Sequence, residues 1–432
     1  MDERFVVEDD YFVRVGPART LDNSLGPIEF NIEPSPLHLT DLSQSYLSLS
    51  LRVRRAGQAI EHCKALTGTH LTNPDTIDFA ATSGAGQPSE DRHLSCVNNL
   101  FHSIFSQVSL ELNGQLVERI HDYPFVAYLT NLFGFDKDIK NSALQTLIGW
   151  YPDEPGKFDS SSNSGHLDRV KHLLLNGKEC HLKGRLALGS CEVGLLPNHT
   201  SLRILLHKND ASFPLLYTGS TAAPAGAYSI EITNCEFEVR RVGTSPSVLK
   251  DYESRLTKDL GEFDFIKSDC KAFTFSAQQS DITINNLFSG ELPDSVLICL
   301  LPNATYHGDI TKNPFNFQHF NMSRASLFVN GQEFPTPRGY DLKMSENKYA
   351  DAYLNLFRGK PEYHGMTRAE FIGGSFFLIF DFHHLPGQQG VVQGKFKFES
   401  PLADTVTLLA IASYDVKFKM DQMRNLSHTY VP

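Results

Sequence analysis

From Leu42 to Arg55 the chain reads LSQSYLSLSLRVRR, with Leu47, Leu49, Leu51 and Val53 separated by polar or charged residues. A period of two puts the apolar side chains on one face of a strand and the polar ones on the other. Further strand-length segments are YSIEITNCEFEVRRV (228–242), SVLICLLP (295–302), SFFLIFDF (375–382), GKFKFES (394–400) and TVTLLAIASYDVKFKMD (405–421). Shorter ones fall near 95–120, 180–188 and 201–207, and turn-rich polar loops separate them. This pattern predicts an all-β chain. Helical spacing intrudes in a few places. In DYPFVAYLTNLFGF, Pro124 suits a first turn and Phe125, Leu129, Leu132 and Phe133 share a face. Asn141 and Ser142 can cap a short helix carrying Leu144, Leu147 and Ile148. Ser245 and Pro246 open another, and a further one is expected at 345–357. The segments 64–93, 156–170, 218–227 and 335–350 are expected to be exposed, mobile loops, FDSSSNSGH (158–166) among them.

The pattern is written twice. SLELNGQ (109–115) returns as SLFVNGQ (326–332), each a strand, an Asn-Gly pair and a second strand. Asn113-Gly114 and Asn330-Gly331 suit the two positive-φ positions of a type I′ hairpin. Such hairpins recur in unrelated β proteins, but this one lies in a longer match. Asn99–Gln115 and Asn316–Gln332 agree at eight of seventeen positions, His102 with His319 and Ser106 with Ser323 among them. AYLTNLFG (127–134) is then echoed by AYLNLFRG (352–359), in the same order. A period this long points to a duplicated domain rather than a solenoid. Two units of about eight strands each predict tandem antiparallel sandwiches with jelly-roll connectivity. The expected division is a first unit at 1–242, a helical connector at 243–264 and a second unit at 265–432.

Composition narrows the class. A net charge of −11 does not suit a surface that neutralises phosphates. The one basic run, LRVRR (51–55), reads as an edge strand. Cys63, Cys96, Cys180, Cys191, Cys235, Cys270 and Cys299 show no CxxC spacing, the pattern of reduced buried thiols in an intracellular protein. MDERFVVEDDYF lacks the apolar core of a signal peptide, and no run has the length of a membrane span.

Chemistry-bearing patterns are sparse. Phosphate-loop, dinucleotide, zinc-helix and nucleophile-elbow motifs are missing from the sequence. In FDFHH, Asp381 and His383 would share a strand face, and His384 follows. A metal there would need further ligands that the sequence does not nominate. The bland alternative is a polar strand end entering the loop LPGQQG. Cys180 and His181 are adjacent and so point to opposite faces; His199 sits in a turn and His207 at a strand end. Ser190-Cys191 shows no accompanying His or oxyanion hole. No catalytic, cofactor-binding or metal site is assigned, and no cofactor is expected.

Collinear segments carry a family resemblance. DYPFVAYLTNLFGFDKDIKNSAL is followed by GWYPDEPG with Trp150, Tyr151 and Asp153. KGRLALGSCEVGLLPNHTSLRILLHKNDASF contains Gly184, Arg185, Leu195–Asn198, Asp210 and Phe213. FEVRRVGTSPSV and NLFSGELPDSVLICLLPNATYHGDITKNPFNFQHF follow, with Pro293 and the run Asn313 to Phe317. The chain resembles the major capsid proteins of the Polinton (Maverick) and adintovirus group over most of 95–432. Many relatives have Asp-Leu-Thr-Pro-Asp where this chain has DFHHLP, which leaves the role of that loop open.

The resemblance implies a double jelly roll and a structural, non-enzymatic role in the virion. Three chains would form a pseudo-hexagonal capsomer, and capsomers would tile an icosahedral shell around double-stranded DNA. The implied partners are further copies of itself, then penton and minor capsid proteins. Specific nucleic-acid binding is not expected. Two other readings are a host-encoded, capsid-derived intracellular scaffold and a tandem sandwich enzyme or sugar-binding protein of cupin or lectin type. Phe125–Phe133, Tyr353–Phe357 and NPFNF carry more apolar bulk than two isolated sandwiches need. That excess predicts an obligate, salt-resistant trimer with interfaces above roughly 2,000 Å² per pair.

Overall fold

Apart from one hairpin that stays within a sheet, successive principal strands alternate between two facing sheets, and they do so twice in the same order. The protein is a computed structural model that describes residues 7–21, 26–55, 58–60, 82–83, 87–88, 90–219, 227–258, 261–358, 364–383, 385 and 388–428. The principal strands of the first half are β1 (Val7–Val15), β2 (Ile28–Ile32), β3 (His38–Arg55), β4 (Phe105–Leu112), β5 (Gln115–Ile120), β6 (Cys180–Gly184), β7 (Leu202–Lys208) and β8 (Tyr228–Thr244). They pair antiparallel in the orders β1-β8-β3-β6 and β2-β7-β4-β5. Those of the second half are β9 (Gly261–Phe275), β10 (Asp281–Glu291), β11 (Ser295–Pro302), β12 (Met322–Val329), β13 (Gln332–Phe334), β14 (Phe377–Asp381), β15 (Gln389–Phe398) and β16 (Val406–Met420). Their orders, β9-β16-β11-β14 and β10-β15-β12-β13, are the first pair of orders shifted by eight strands. The chain is therefore two tandem eight-stranded sandwiches of one connectivity, the double jelly roll expected from the sequence.

Alternation decides which side chains fill each sandwich. Leu47, Leu49, Leu51 and Val53 of β3 face inward onto Phe30 of β2, Leu110 of β4 and Ile204 of β7, and all of them are buried. The second core repeats this with Ile298 and Leu300, Leu327, Phe396 and Leu408. The repeated hairpins adopt the predicted turn. Asn113 and Gly114 have φ of 49° and 76°, and Asn330 and Gly331 have 49° and 84°, so each pair reverses the chain with a twist matched to its strands.

The second repeated motif falls in equivalent connections. Helix α1 (Tyr123–Gly134) lies between β5 and β6, and α4 (Ala350–Asn355) lies between β13 and β14. Between them come α2 (Ser164–Arg169) and α3 (Pro246–Lys258), and α5 (Arg368–Ile372) follows α4. The helix expected at 345–357 is thus shorter, with a separate turn at Met344–Glu346 before it. Ser142 does precede a one-turn helix, but Leu144 and Leu147 are exposed and only Ile148 is buried.

Three expectations are corrected. LRVRR ends a central strand, since β3 has β8 on one side and β6 on the other. Its charges are accommodated by ion pairs: Arg52 with Glu179, Arg54 with Glu231 and Arg55 with Asp91. Residues 156–170 are not a free loop. Phe158, Asn163, His166 and Arg169 are buried, because α2 folds back onto the first roll and Asn163 caps it by accepting from Gly165 N–H. The apolar excess of α1 and NPFNF is covered within one chain, as described below. The loop expectations at 64–93 and 218–227 fall mostly outside the described residues, whereas 335–350 is largely exposed.

Candidate assembly interface

Where the two rolls meet, α1 supplies one wall and the segment before β12 the other. Tyr128 stacks on Phe315 with ring centroids 4.2 Å apart and planes 5° from parallel, and Trp150 stacks on its far side at 5.2 Å. Phe125 meets Phe315 and Phe317 edge-on at 6.0 and 6.3 Å, and Phe133 meets Phe377 at 5.4 Å. Offset and edge-to-face geometry add attraction beyond area burial. Pro124 sets the start of α1, and the spacing of Phe125, Tyr128, Leu129 and Phe133 turns one face toward this wall. Phe315 and Phe317 lose all contact with solvent here.

Beside the aromatic wall lies a polar clasp. Arg169, fully buried, donates to Asp153 at 2.6 Å, to the Tyr151 carbonyl at 2.6 Å and to the Cys96 carbonyl at 2.7 Å. Asp153 also accepts from Asn163 and, across the seam, from Asn313 at 3.0 Å. Asp159 takes the Asn313 N–H at 2.6 Å, and Gly156 donates to the Gly373 carbonyl. Burial raises the Asp159 carboxyl above its usual range. Lys140 gives its ammonium to the Leu132 and His364 carbonyls, and burial lowers it to about 8. A buried charge held by several partners is costly to break on one side only.

The third part of the seam is the edge of β9. The turn at Gly189–Cys191, reached from β6, lies against this strand. An added Cβ on Gly189 would stand 1.8 Å from the Ile266 carbonyl oxygen, so only glycine allows the approach. Glu118 on β5 is buried under the same turn and accepts from Ser190 N–H at 2.8 Å and from its hydroxyl at 2.6 Å. Burial pushes the Glu118 carboxyl upward, with those hydrogen bonds and Lys267 of β9 opposing. Asp122 is raised in the same way, its bond from Tyr306 opposing. Farther along, Arg424 donates to the Asn198 carbonyl at 2.8 Å and its side-chain oxygen at 2.7 Å, and Asn113 donates to the Arg424 carbonyl.

A scan against protein-family models finds no match. An uncharacterized protein of Caenorhabditis elegans is 23% identical over 430 residues, covering 93% of this chain and 92% of its own. A chain from the cryo-EM structure of the Sputnik virophage superposes with a TM-score of 0.67 at 12% identity, covering 98% of this chain and 88% of that one. The mavirus major capsid protein gives 0.55 at 10% identity, with 96% and 89% covered. The Faustovirus major capsid protein gives 0.52 at 9% identity, with 95% and 90% covered. The fold is that of double jelly-roll capsid proteins.

Ser190 donates to a carboxylate, Glu118, and Cys191 beside it is buried, which raises its thiol pKa. Cys180 faces the core while His181 is exposed and hydrogen-bonds the Ser50 hydroxyl at 2.8 Å. His199 occupies a turn with φ of 60°. His207 lies at the end of β7, where burial lowers its pKa. Asp381 ends β14 and His383 lies just beyond the strand, so they do not share a strand face. Asp381 instead accepts the His383 N–H at 2.9 Å and meets its Nδ1 at 2.7 Å. His384 falls outside the described residues, among which no group of three or more His, Cys, Asp or Glu could hold a metal. The repeated pair has diverged in setting. His102 is buried against the Tyr123 hydroxyl at 2.8 Å and lowered to about 3, while His319 is half-buried. Sequence reasoning missed Glu118, Arg169 and Gly189. Their residue types carry no local signal, and only the seam assembles them.

Proposed function

We propose that this chain is a major capsid protein of the Polinton and adintovirus group. Three copies form a pseudo-hexagonal capsomer, and capsomers tile an icosahedral shell with penton and minor capsid proteins. The observation that carries this reading is the duplicated eight-strand connectivity joined by a buried aromatic seam, in a fold shared with mavirus and Faustovirus major capsid proteins. Two similar rolls per chain let a three-fold object present six similar edges to its neighbours. The rolls are taken as 1–242 and 265–432, with 243–264 as connector. The collinear sequence motifs support the narrower group, and the nematode relative of matching length supports a gene carried in cellular genomes. The net charge of −11 suits a wall that leaves DNA condensation to basic proteins. Among the described residues no helix is long and apolar enough to cross a membrane.

Electron microscopy of the purified full chain tests the reading. Hexagonal capsomers or closed particles are expected. A population of single 48.3 kDa chains at micromolar concentration would defeat it.

A further inference from the structure

The two Asn-Gly hairpins are one turn in two settings. Asn113 and Asn330 both have φ of 49°, and an added Cβ on Gly114 or Gly331 would meet nothing within 4 Å. Backbone shape and solvent access to the glycine are therefore alike. The residue before each asparagine also stands alike: Leu112 pairs with Leu202 of β7, Val329 pairs with Val392 of β15, and all four are buried in their cores. That register puts Ser201 and Val391 in the same place beside the turn. What they offer differs. Ser201 clamps the Asn113 amide, donating to its Oδ1 from the backbone N–H at 2.8 Å and from the hydroxyl at 3.1 Å. Asn113 Nδ2 donates in turn to the Arg424 carbonyl at 2.9 Å, a partner that the second roll lends to the first. Val391 has no hydroxyl, and it lies within the pairing of β15 with β10, opposite Ser289. Asn330 is exposed, its side chain rests over Gly390, and among the described residues no group hydrogen-bonds its amide.

We propose that Asn330 is a site of spontaneous deamidation, from which the clasp on Asn113 protects its counterpart. In this reaction the backbone nitrogen of Gly331 attacks Cγ of Asn330. The new N–Cγ bond forms as the Cγ–Nδ2 bond breaks, and ammonia leaves with the proton that the Gly331 N–H gives up. Water then opens the succinimide ring at either carbonyl, leaving aspartate or isoaspartate, and no oxidant or other co-reactant is consumed. Glycine favours the attack because it has no Cβ to crowd the nitrogen. An amide free to turn reaches that nitrogen, whereas one held by three hydrogen bonds must break them first. The aspartate product keeps the hairpin, because Asp-Gly suits the same turn. The isoaspartate product lengthens the backbone of a two-residue loop, and loop length sets the register of the strands it joins. β13 is a three-residue strand at the sheet edge, so this product should loosen it. Glu333 and Phe334 would move with it, and they line an open groove of about 1050 Å³. The reaction belongs to the folded chain and stands or falls apart from the capsomer reading.

Peptide mapping of the full chain after incubation in mildly alkaline buffer tests the assignment. Trypsin places Asn330 on 325–338 and Asn113 on 93–119, so each site is read separately, and fragment masses locate the change at the asparagine. The folded chain should gain aspartate and isoaspartate at Asn330 more than about tenfold faster than at Asn113, the factor that two modest hydrogen bonds supply. In denaturant, where only the local sequences LNGQ and VNGQ remain, the two rates should converge. If Asn330 of the folded chain stays as intact as Asn113, the site is wrong. If both react in the folded chain at their denatured rates, the protection of Asn113 is wrong.

Discussion

Replacing Phe315 by alanine removes the ring that joins the two rolls. Phe315 is fully buried, lies 4.2 Å from Tyr128, and also meets Phe125 and Phe213 at 6.0 and 6.3 Å. Truncating such a ring costs about 3–5 kcal/mol, with the cavity left behind included. The seam ties both cores together, so the whole chain should melt as one unit. Its 432 residues at about 2.1 cal/mol/K each have an unfolding entropy of about 0.9 kcal/mol/K. A loss of about 3–5 kcal/mol then lowers Tm by about 3–6 °C in a single transition. If the second roll melted alone, its roughly 170 residues would give about 0.36 kcal/mol/K, and the shift would be about 8–14 °C in part of the heat absorbed. Scanning calorimetry separates these cases. Leu144→Ala, at 73% exposure, is the control and should stay within about 0.5 kcal/mol of the parent. A Phe315→Ala protein that melts within about 1 °C of the parent would refute the reasoning.

Other outcomes can be checked on the same purified chain. Gly189→Ala should open the β9 contact, lower Tm and increase protease cleavage near 185–192, because its Cβ would overlap a backbone oxygen; unchanged melting and cleavage would argue against the close approach. Gly114→Ala and Gly331→Ala meet no neighbour within 4 Å, so only positive φ opposes them. Each should cost about 1–2 kcal/mol, and urea titration of the double variant should give the sum. Glu118 has a raised pKa in the folded chain, so as pH climbs past the ordinary glutamate value the unfolded state ionises first and stability is lost. The Tm of Glu118→Gln relative to the parent should therefore increase between pH 4.5 and 7.5, and a flat difference would contradict burial as the cause. Arg169→Met should destabilise by about 3–5 kcal/mol, since Asp153 would remain buried with only amide partners, and denaturant melts measure this directly.

Short-range physics was enough for the sequence to determine the strands, the hairpins and the duplication. Alternation at Leu47–Val53 needs only a sheet with one buried face, and Asn-Gly needs only a turn with two positive φ angles. The echo of AYLTNLFG in AYLNLFRG likewise marked equivalent connections before either helix had a place. The seam was not legible in that way. Phe125, Phe133 and Phe315 looked like surface excess because periodicity reports that a side chain wants cover and does not say which surface supplies it. Arg54 looked like part of an edge because its pairing with Glu231 spans a long stretch of chain. Gly189 and Glu118 have unremarkable neighbours in sequence, and their roles follow from Ile266 and Lys267, which tertiary packing alone brings to them.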